Sequence, residues 1–279
     1  MIFLLTLVSI TAAADPLLDA LQSPEALGRL FAQYEAVEGK YYSGNEAKFR
    51  MRLFRRSVRN VAETNSQDLG WEAGLNLFSD MTEAEKSQYL GLNTSLSYTP
   101  GEPLPLTNEP LASSIDWRTK GGVTPVKNQG SCGSCWTFGA VGSLEGVNKA
   151  ASGNLVTFAE QELLDCVYEN PKRDGCQGGW MQDAFSYIQR TQRIAPSSAV
   201  SYRGSDGTCN YMSKPNGLKN KCTGQYAVPT SESGHLSGLA QGPIAVAFEV
   251  TKACQSYRSG VFRDTTCHGN ANHAVTMVG

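Results

Sequence analysis

Apolar positions recur at helical spacing through the first third of the chain and at strand spacing only near its end. Phe49, Leu53, Phe54, Val58 and Val61 form one stripe at helical spacing, while Arg50, Arg52, Arg55, Arg56 and Arg59 fill the rest of the surface. This is the pattern of an amphipathic helix, with Asn45 placed to cap it. The plainest reading of those arginines is a solvated face. A shorter helix is expected after Thr82, which stands three residues before Glu85 as in a capping box. Three more helices are predicted further on. One runs from Cys135 to Ala151; the next is capped by Thr157 with Glu160 and passes through Leu163 and Leu164; the third is marked by Trp180, Ala184, Phe185 and Ile188. Strands come last, at Ile244 to Val250, opened by Gly242-Pro243, and at His273 to Val278. A helical half followed by a β half implies an α+β class.

Pro100, Pro103, Pro105 and Pro110 break the chain between these regions, so 94–110 is expected to be a cleavable linker behind a helical region of about 27–92. Ahead of both, Ile2 to Ile10 is a short uncharged apolar run, and Ala12-Ala13-Ala14 supplies the small residues a signal peptidase accepts. Residues 1–14 therefore read as a signal peptide, too short to cross a hydrocarbon core about 30 Å thick. No later segment is long enough for a membrane span. The expected compartment is the secretory pathway, lysosomal or extracellular, where cysteines can be oxidised.

The 279 residues are 41 % hydrophobic and 18 % charged, which excludes a collagen-like or fully disordered chain. With 24 basic and 26 acidic side chains the net charge is -2, so nucleic-acid binding is not expected. The balance is uneven along the chain. Residues 15–110 hold 9 basic and 14 acidic side chains, whereas 111–279 hold 15 basic and 12 acidic, so that the two parts carry opposite signs.

The densest chemistry lies in Gln129-Gly130-Ser131-Cys132-Gly133-Ser134-Cys135-Trp136. Cys135 stands where a glycine-rich loop enters a helix, and the positive helix end favours a thiolate, so it is the candidate nucleophile with a lowered pKa. A redox Cys-x-x-Cys pair would need a βαβ context. A zinc site would need a second closely spaced ligand pair, which Cys166 and Cys176 do not provide. No metal and no cofactor is expected. A nucleophilic cysteine needs a base, and the chain has three histidines. His235 falls in a Ser/Gly-rich stretch read as a surface loop. His268 and His273 follow Cys135 by 133 and 138 residues, both inside a window of about 130 to 150. Of the two, His273 opens the predicted last strand, a rigid mount, and is preferred.

Cys132-Gly133-Ser134-Cys135-Trp136 resembles the cysteine signature of papain and the cathepsins. From about residue 27 onward the chain resembles a papain-like cysteine protease precursor of the cathepsin L group. Glu46, Arg50, Phe54, Val61 and Asn65 are similar to the inhibitory pro-region pattern ERFNIN, with Ser57 and Val61 as departures. Gly74-x-Asn76-x-Phe78-x-Asp80 matches the second pro-region motif, and Asp116-Trp117-Arg118 looks like the mature N-terminus, placing processing near Pro110 to Ala112. The domains expected are thus 15–110 as inhibitory pro-region and 111–279 as peptidase.

The resemblance implies a two-lobed fold, a helical left lobe and a β-barrel-like right lobe, behind a small helical pro-domain. It implies that Cys135 attacks the peptide carbonyl, that His273 holds the ion pair and protonates the leaving amine, and that the Gln129 side chain and the Cys135 backbone N–H form the oxyanion hole. Gly178-Gly179 would pair with substrate as an added strand. Trp180, Met181, Ala247 and Ala271 would line the pocket for the residue two before the scissile bond, favouring a hydrophobic side chain there, with core packing as their alternative role. It further implies disulfides Cys132–Cys176 and Cys166–Cys209, leaving the pairing of Cys222, Cys254 and Cys267 open. Expected partners are protein or peptide substrates, the chain's own pro-region and cystatin-type inhibitors. Asn93-Thr94-Ser95 is a glycosylation sequon.

The family's third catalytic member, an Asn followed by Ser-Trp, is not among the 279 residues, so the sequence reads as a protease precursor with an incomplete right lobe. Asn272 is a poor substitute, because neighbouring side chains on an extended segment point to opposite faces, and Asn270 falls in a loop. The expected activity is that of a pro-region-inhibited endopeptidase activated in acid. The rival reading is a non-catalytic homologue whose pro-region inhibits other cysteine proteases.

Overall fold

The computed structural model describes residues 16–93, 101–106, 111–168, 175–219 and 222–279. The expected signal peptide and most of the proline linker lie outside these. The chain divides into two compact units, residues up to Lys86 with Thr251–Cys267, and Ser87–Val250 with His268–Gly279.

In the first unit, α1 (Pro16–Gln22), α2 (Pro24–Glu38) and α3 (Gly44–Asn65) precede β1 (Trp71–Ala73) and α4 (Glu83–Ser87). Ser23 caps α2 by accepting the Ala26 N–H, Pro24 fills its first position, and Gly39 ends it in the left-handed conformation. Phe31, Tyr34, Phe54 and Val58 bury the shared faces. The predicted stripe is therefore the core face of α3, but Asn45 does not cap the helix. Ser43 has the extended backbone of a cap residue, and α3 starts at Gly44, leaving Asn45 in the first turn.

Arg50 also departs from the solvated face predicted for the arginines. It lies against Glu46 at 2.6 Å, Glu85 at 2.5 Å and the Asp80 carbonyl at 2.9 Å. Glu85 in turn accepts the Thr82 N–H at 2.7 Å while Thr82 Oγ1 accepts the Glu85 N–H, so the capping box is present and tied to α3. The hydrogen bond from Arg50, and then those from Thr82, hold the Glu85 carboxyl down at about 2. A depressed carboxylate stabilises the fold above its unfolded value and loses that contribution as pH falls through the folded one. This pair accordingly persists at pH 5 and weakens only between about 4.5 and 2.

The second unit holds β2 (Glu102–Pro103), α5 (Cys135–Ser152), α6 (Glu160–Cys166), α7 (Met181–Thr191), β3 (Tyr226–Ala227), α8 (Glu232–Gln241), β4 (Ile244–Phe248) and β6 (His273–Met277). Between β4 and β6 in sequence comes β5 (Tyr257–Gly260), which belongs to the first unit and pairs there with β1. Trp136, Ala140, Val141, Phe158, Leu163, Ile188 and Ile194 form the core around α5. Disulfides join Cys132 to Cys176 and Cys166 to Cys209, with Cα separations of 4.7 and 4.8 Å.

Two sequence expectations change here. Thr157 does not cap α6, whose cap position is Ala159. Thr157 instead accepts the Ser197 N–H in an extended pairing beside the Phe158–Pro196 bridge, and the Glu160 carboxylate turns to Lys127 at 2.5 Å. His235 lies on α8 rather than in a loop.

The β part is mixed with helix and forms no closed barrel among the described residues. β4 pairs antiparallel with β6 alone, Ile244 opposite Met277 through Phe248 opposite His273. The intervening strand β5 is spent on β1 and adds nothing to this sheet. The pair lies directly on α5 because that helix is bare along one side. A Cβ at Gly142 would sit 2.3 Å from Thr276 Oγ1, and one at Gly146 2.3 Å from the Pro243 ring. At such distances a larger residue would force the Thr276 side chain or the Pro243 ring to move. The same stripe brings the strand that begins with His273 alongside the helix that begins with Cys135.

Candidate active site

Cys135 opens α5 beneath the glycine-rich turn and has no exposed surface. Its sulfur is faced by the backbone N–H groups of Ala274, Gly91, Trp136 and its own residue, which favour the thiolate. Burial outweighs them and pushes the thiol up from its ordinary value. The sequence expectation of a lowered thiol pKa is therefore not met in this conformation, in which the helix-end donors act on a sulfur cut off from water.

The cover is the segment Tyr89–Asn93. The Tyr89 carbonyl accepts the Gln129 side-chain N–H at 3.0 Å and also faces the His273 ring. Gly179 donates its N–H to the Gly91 carbonyl at 2.9 Å, and Leu92 donates to the Asn272 carbonyl at 3.2 Å. Leu92 and Gly179 form a parallel bridge. Gly91 fits because it has no side chain: a Cβ there would lie 1.8 Å from the Gly133 carbonyl oxygen.

His273 is half-buried, and its ring packs edge-on against Phe248 with centroids 6.0 Å apart. Burial lowers its pKa, opposed in part by the Tyr89 carbonyl. Nδ1 is buried with no hydrogen-bond partner among the described residues. Thiol and imidazole are thus placed on adjoining elements, each biased to its neutral form. Asn272 takes no part in orienting the ring. Its carboxamide accepts the Val250 N–H at 2.8 Å and donates to the Val250 carbonyl at 3.3 Å. His268 and Asn270 are exposed.

Gln129 also donates to the Cys132 carbonyl at 2.8 Å, which turns its amide toward the sulfur-bearing helix end. Of the pocket candidates, Met181 is 4 % exposed within the core, Trp180 and Ala271 are half-buried at its margin, and Ala247 is exposed on β4. Gly178 has φ +115°, and a Cβ there would meet the Gly91 carbonyl at 2.8 Å. Asn93, the sequon residue, is half-buried with its N–H toward the Gly179 carbonyl at 3.5 Å, while Thr94 and Ser95 fall outside the described residues. Sequence reasoning missed Tyr89 and Gly91, whose only signal is a glycine between Leu90 and Leu92, and it missed the Ala274 N–H. Among the described residues no group of three or more His, Cys, Asp or Glu is placed to hold a metal ion, and no helix is long and apolar enough to cross a membrane.

The structure thus brings together a cysteine at a helix N-terminus, a histidine on a strand packed along that helix, and a glutamine amide bonded to the Tyr89 and Cys132 carbonyls. Residues 111–279 match the papain family of cysteine proteases, and residues 31–85 match the cathepsin propeptide inhibitor domain, I29. The chain is 38 % identical over 276 residues to chymopapain of Carica papaya, covering 94 % of this chain and 75 % of that protein. It is 38 % identical over 255 residues to pro-cathepsin H of Bos taurus, covering 89 % and 76 %. Among solved structures, digestive procathepsin L2 proteinase from Tenebrio molitor larval midgut superposes with a TM-score of 0.82 at 32 % identity, covering 90 % of this chain and 84 % of that one. The protein belongs to the papain family of cysteine proteases and carries that family's propeptide inhibitor domain.

Proposed function

We propose that the chain is the precursor of a secretory-pathway endopeptidase, lysosomal or extracellular, in which residues 15–110 inhibit a peptidase domain spanning 111–279. Cys135 is the nucleophile and His273 its base. Once segment 89–93 leaves, water and substrate reach the sulfur, the burial that raises the thiol is relieved, and the proton passes to His273. The thiolate then adds to a peptide carbonyl. The developing oxyanion is met by the Gln129 side-chain N–H and the Cys135 backbone N–H, and the imidazolium returns its proton to the leaving amine. Water hydrolyses the thioester in the second half of the cycle.

One observation carries this reading: the Tyr89 backbone carbonyl already lies on the Gln129 amide, as a substrate carbonyl would, with Gly91 bonded to the glycine strip and its N–H on the sulfur. A segment of the chain thus fills the site as a peptide does. Gly178 and Gly179 supply the strip, and Trp180, Met181, Ala247 and Ala271 supply an apolar pocket that favours a hydrophobic residue two positions before the cleaved bond. Cleavage near Pro110 to Ala112 makes activation permanent. The acidic excess of 15–110 supports activation in acid, although the Arg50–Glu85 pair is not the trigger, since it survives pH 5. Cystatin-type proteins are the inhibitors expected, and Asn93 the glycan acceptor.

The test is turnover. After acid processing of the full precursor, a fluorogenic peptide with Leu or Phe two residues before the reporter bond should be cut, with a bell-shaped pH profile set by the thiolate and imidazolium together. The same peptide with Asp at that position should be cut about 100-fold more slowly. No cleavage of either would contradict the reading.

A further inference from the structure

Tyr202 belongs to none of the assignments above, yet its hydroxyl lies between both arms of the site. It donates to the Gln129 backbone carbonyl at 2.8 Å and stands 2.6 Å from Ser134 Oγ. A carbonyl only accepts, so the single phenol proton is committed to Gln129, and Ser134 must be the donor in the second bond. Ser134 immediately precedes Cys135 in the cap position of α5, where serine ordinarily bonds its own helix. Here it makes no side-chain capping bond. Its hydroxyl turns to Tyr202 instead, fully buried. The Tyr202 ring is seated edge-on against Phe138, one turn into α5, at 5.0 Å between centroids.

Between these two anchor points the backbone is Gln129-Gly130-Ser131-Cys132-Gly133-Ser134. Gly130 turns at φ +62°, and the stretch contains no helix or strand. The Cys132–Cys176 disulfide holds the middle of the loop. Nothing in that disulfide sets how far Gln129 stands from the helix end, whereas a phenol oxygen bonded to residues 129 and 134 at once does. Both oxyanion donors hang on these positions, one being the Gln129 amide and the other the N–H that follows Ser134.

We infer that Tyr202 is a positioning residue for catalysis, bridging Gln129 and Ser134 so that the two oxyanion donors keep their spacing while charge develops on the substrate carbonyl. The inference rests on the proposed protease reading of the same site. Tyr202 touches neither substrate nor sulfur and acts through those two residues. Because burial raises its pKa, the phenol stays a neutral donor across the working pH range.

The experiment compares wild type with Tyr202→Phe, which keeps the ring on Phe138 and deletes only the bridging oxygen, both obtained by processing the full chain. Displacing oxyanion donors without deleting them should cost about ten-fold in kcat with KM changed less than about two-fold, a fraction of what complete removal of a donor costs. Affinity for a peptide aldehyde, whose thiohemiacetal places charge in the same hole, should fall by the same factor. Alkylation of Cys135 by iodoacetamide, which forms no oxyanion, should keep its rate and pH profile. In a Gln129→Ala background the Tyr202→Phe effect should shrink to less than about two-fold. Should Tyr202→Phe fail to fold, Ser134→Ala tests the other bond of the bridge, with the same split between aldehyde affinity and alkylation. Unchanged kcat and aldehyde affinity in an active enzyme, or a parallel fall in alkylation, would overturn the inference while leaving the protease reading standing. A wild type whose processed form cuts no peptide would overturn both.

Discussion

Cys135→Ala should abolish peptide cleavage, lowering kcat/KM by about 10⁵-fold or more, on the scale seen when the nucleophile of a catalytic triad is removed. The loss should be confined to chemistry. Cys135 has no exposed surface and is in no disulfide, and exchanging a buried thiol for a methyl deletes one atom from a site walled by Ala274, Gly91 and the first turn of α5. Thermal unfolding of the precursor should therefore move by no more than a few degrees. Steady-state kinetics on processed protein beside a melting curve of the precursor checks both halves. Residual cleavage above about 1 % of wild type would show that another residue does the work.

The second large effect concerns the cover. Gly91 lies so close to the Gly133 carbonyl that a Cβ would stand 1.8 Å from its oxygen, and the nearest atoms are backbone, which cannot swing aside. In Gly91→Val the segment must lift from the strip, giving up the Gly179 to Gly91 and Leu92 to Asn272 hydrogen bonds together. Overpacking of this kind costs about 1–3 kcal/mol, so the open population of the precursor should rise about 5- to 160-fold. Iodoacetamide should then alkylate Cys135 in the unprocessed variant faster by that factor. The helical part of the first unit should melt as in wild type, because residues 87–93 belong to the second. An unchanged alkylation rate would mean that Tyr89–Asn93 does not control access to the sulfur.

What could be read from the sequence was local in kind. The loop Gly130 to Ser134 entering a helix, the stripe of α3, the Thr82–Glu85 capping box and the strand at His273 each follow from residues within one or two turns of each other. What escaped depends on contacts across long separations. Tyr257–Gly260 pairs with Trp71–Ala73 in the first unit instead of widening the β4–β6 sheet, so no barrel closes among the described residues, and nothing in the composition of that strand announces the choice. The cover over Cys135 comes from a segment more than forty residues earlier, recognisable only once Gly91 and Gly133 are seen face to face. That cover also reverses the pKa argument, since a helix end lowers a thiol in water but does not overcome complete burial. Thr157 and Asn45 misled for a simpler reason. Each is a good cap residue two places from the true cap position, where backbone geometry and not side-chain type decides.

Removing Tyr89–Asn93 should convert the buried neutral thiol of Cys135 into a thiolate paired with His273. The pH dependence of Cys135 alkylation, followed by mass spectrometry on intact precursor and on processed enzyme, tests it directly. In the precursor the rate should rise only above the ordinary thiol value of 9.0, whereas the processed enzyme should already react rapidly at pH 5, and His273→Ala should return it to the precursor's profile. Identical profiles before and after processing would show that segment 89–93 does not set the protonation of the sulfur.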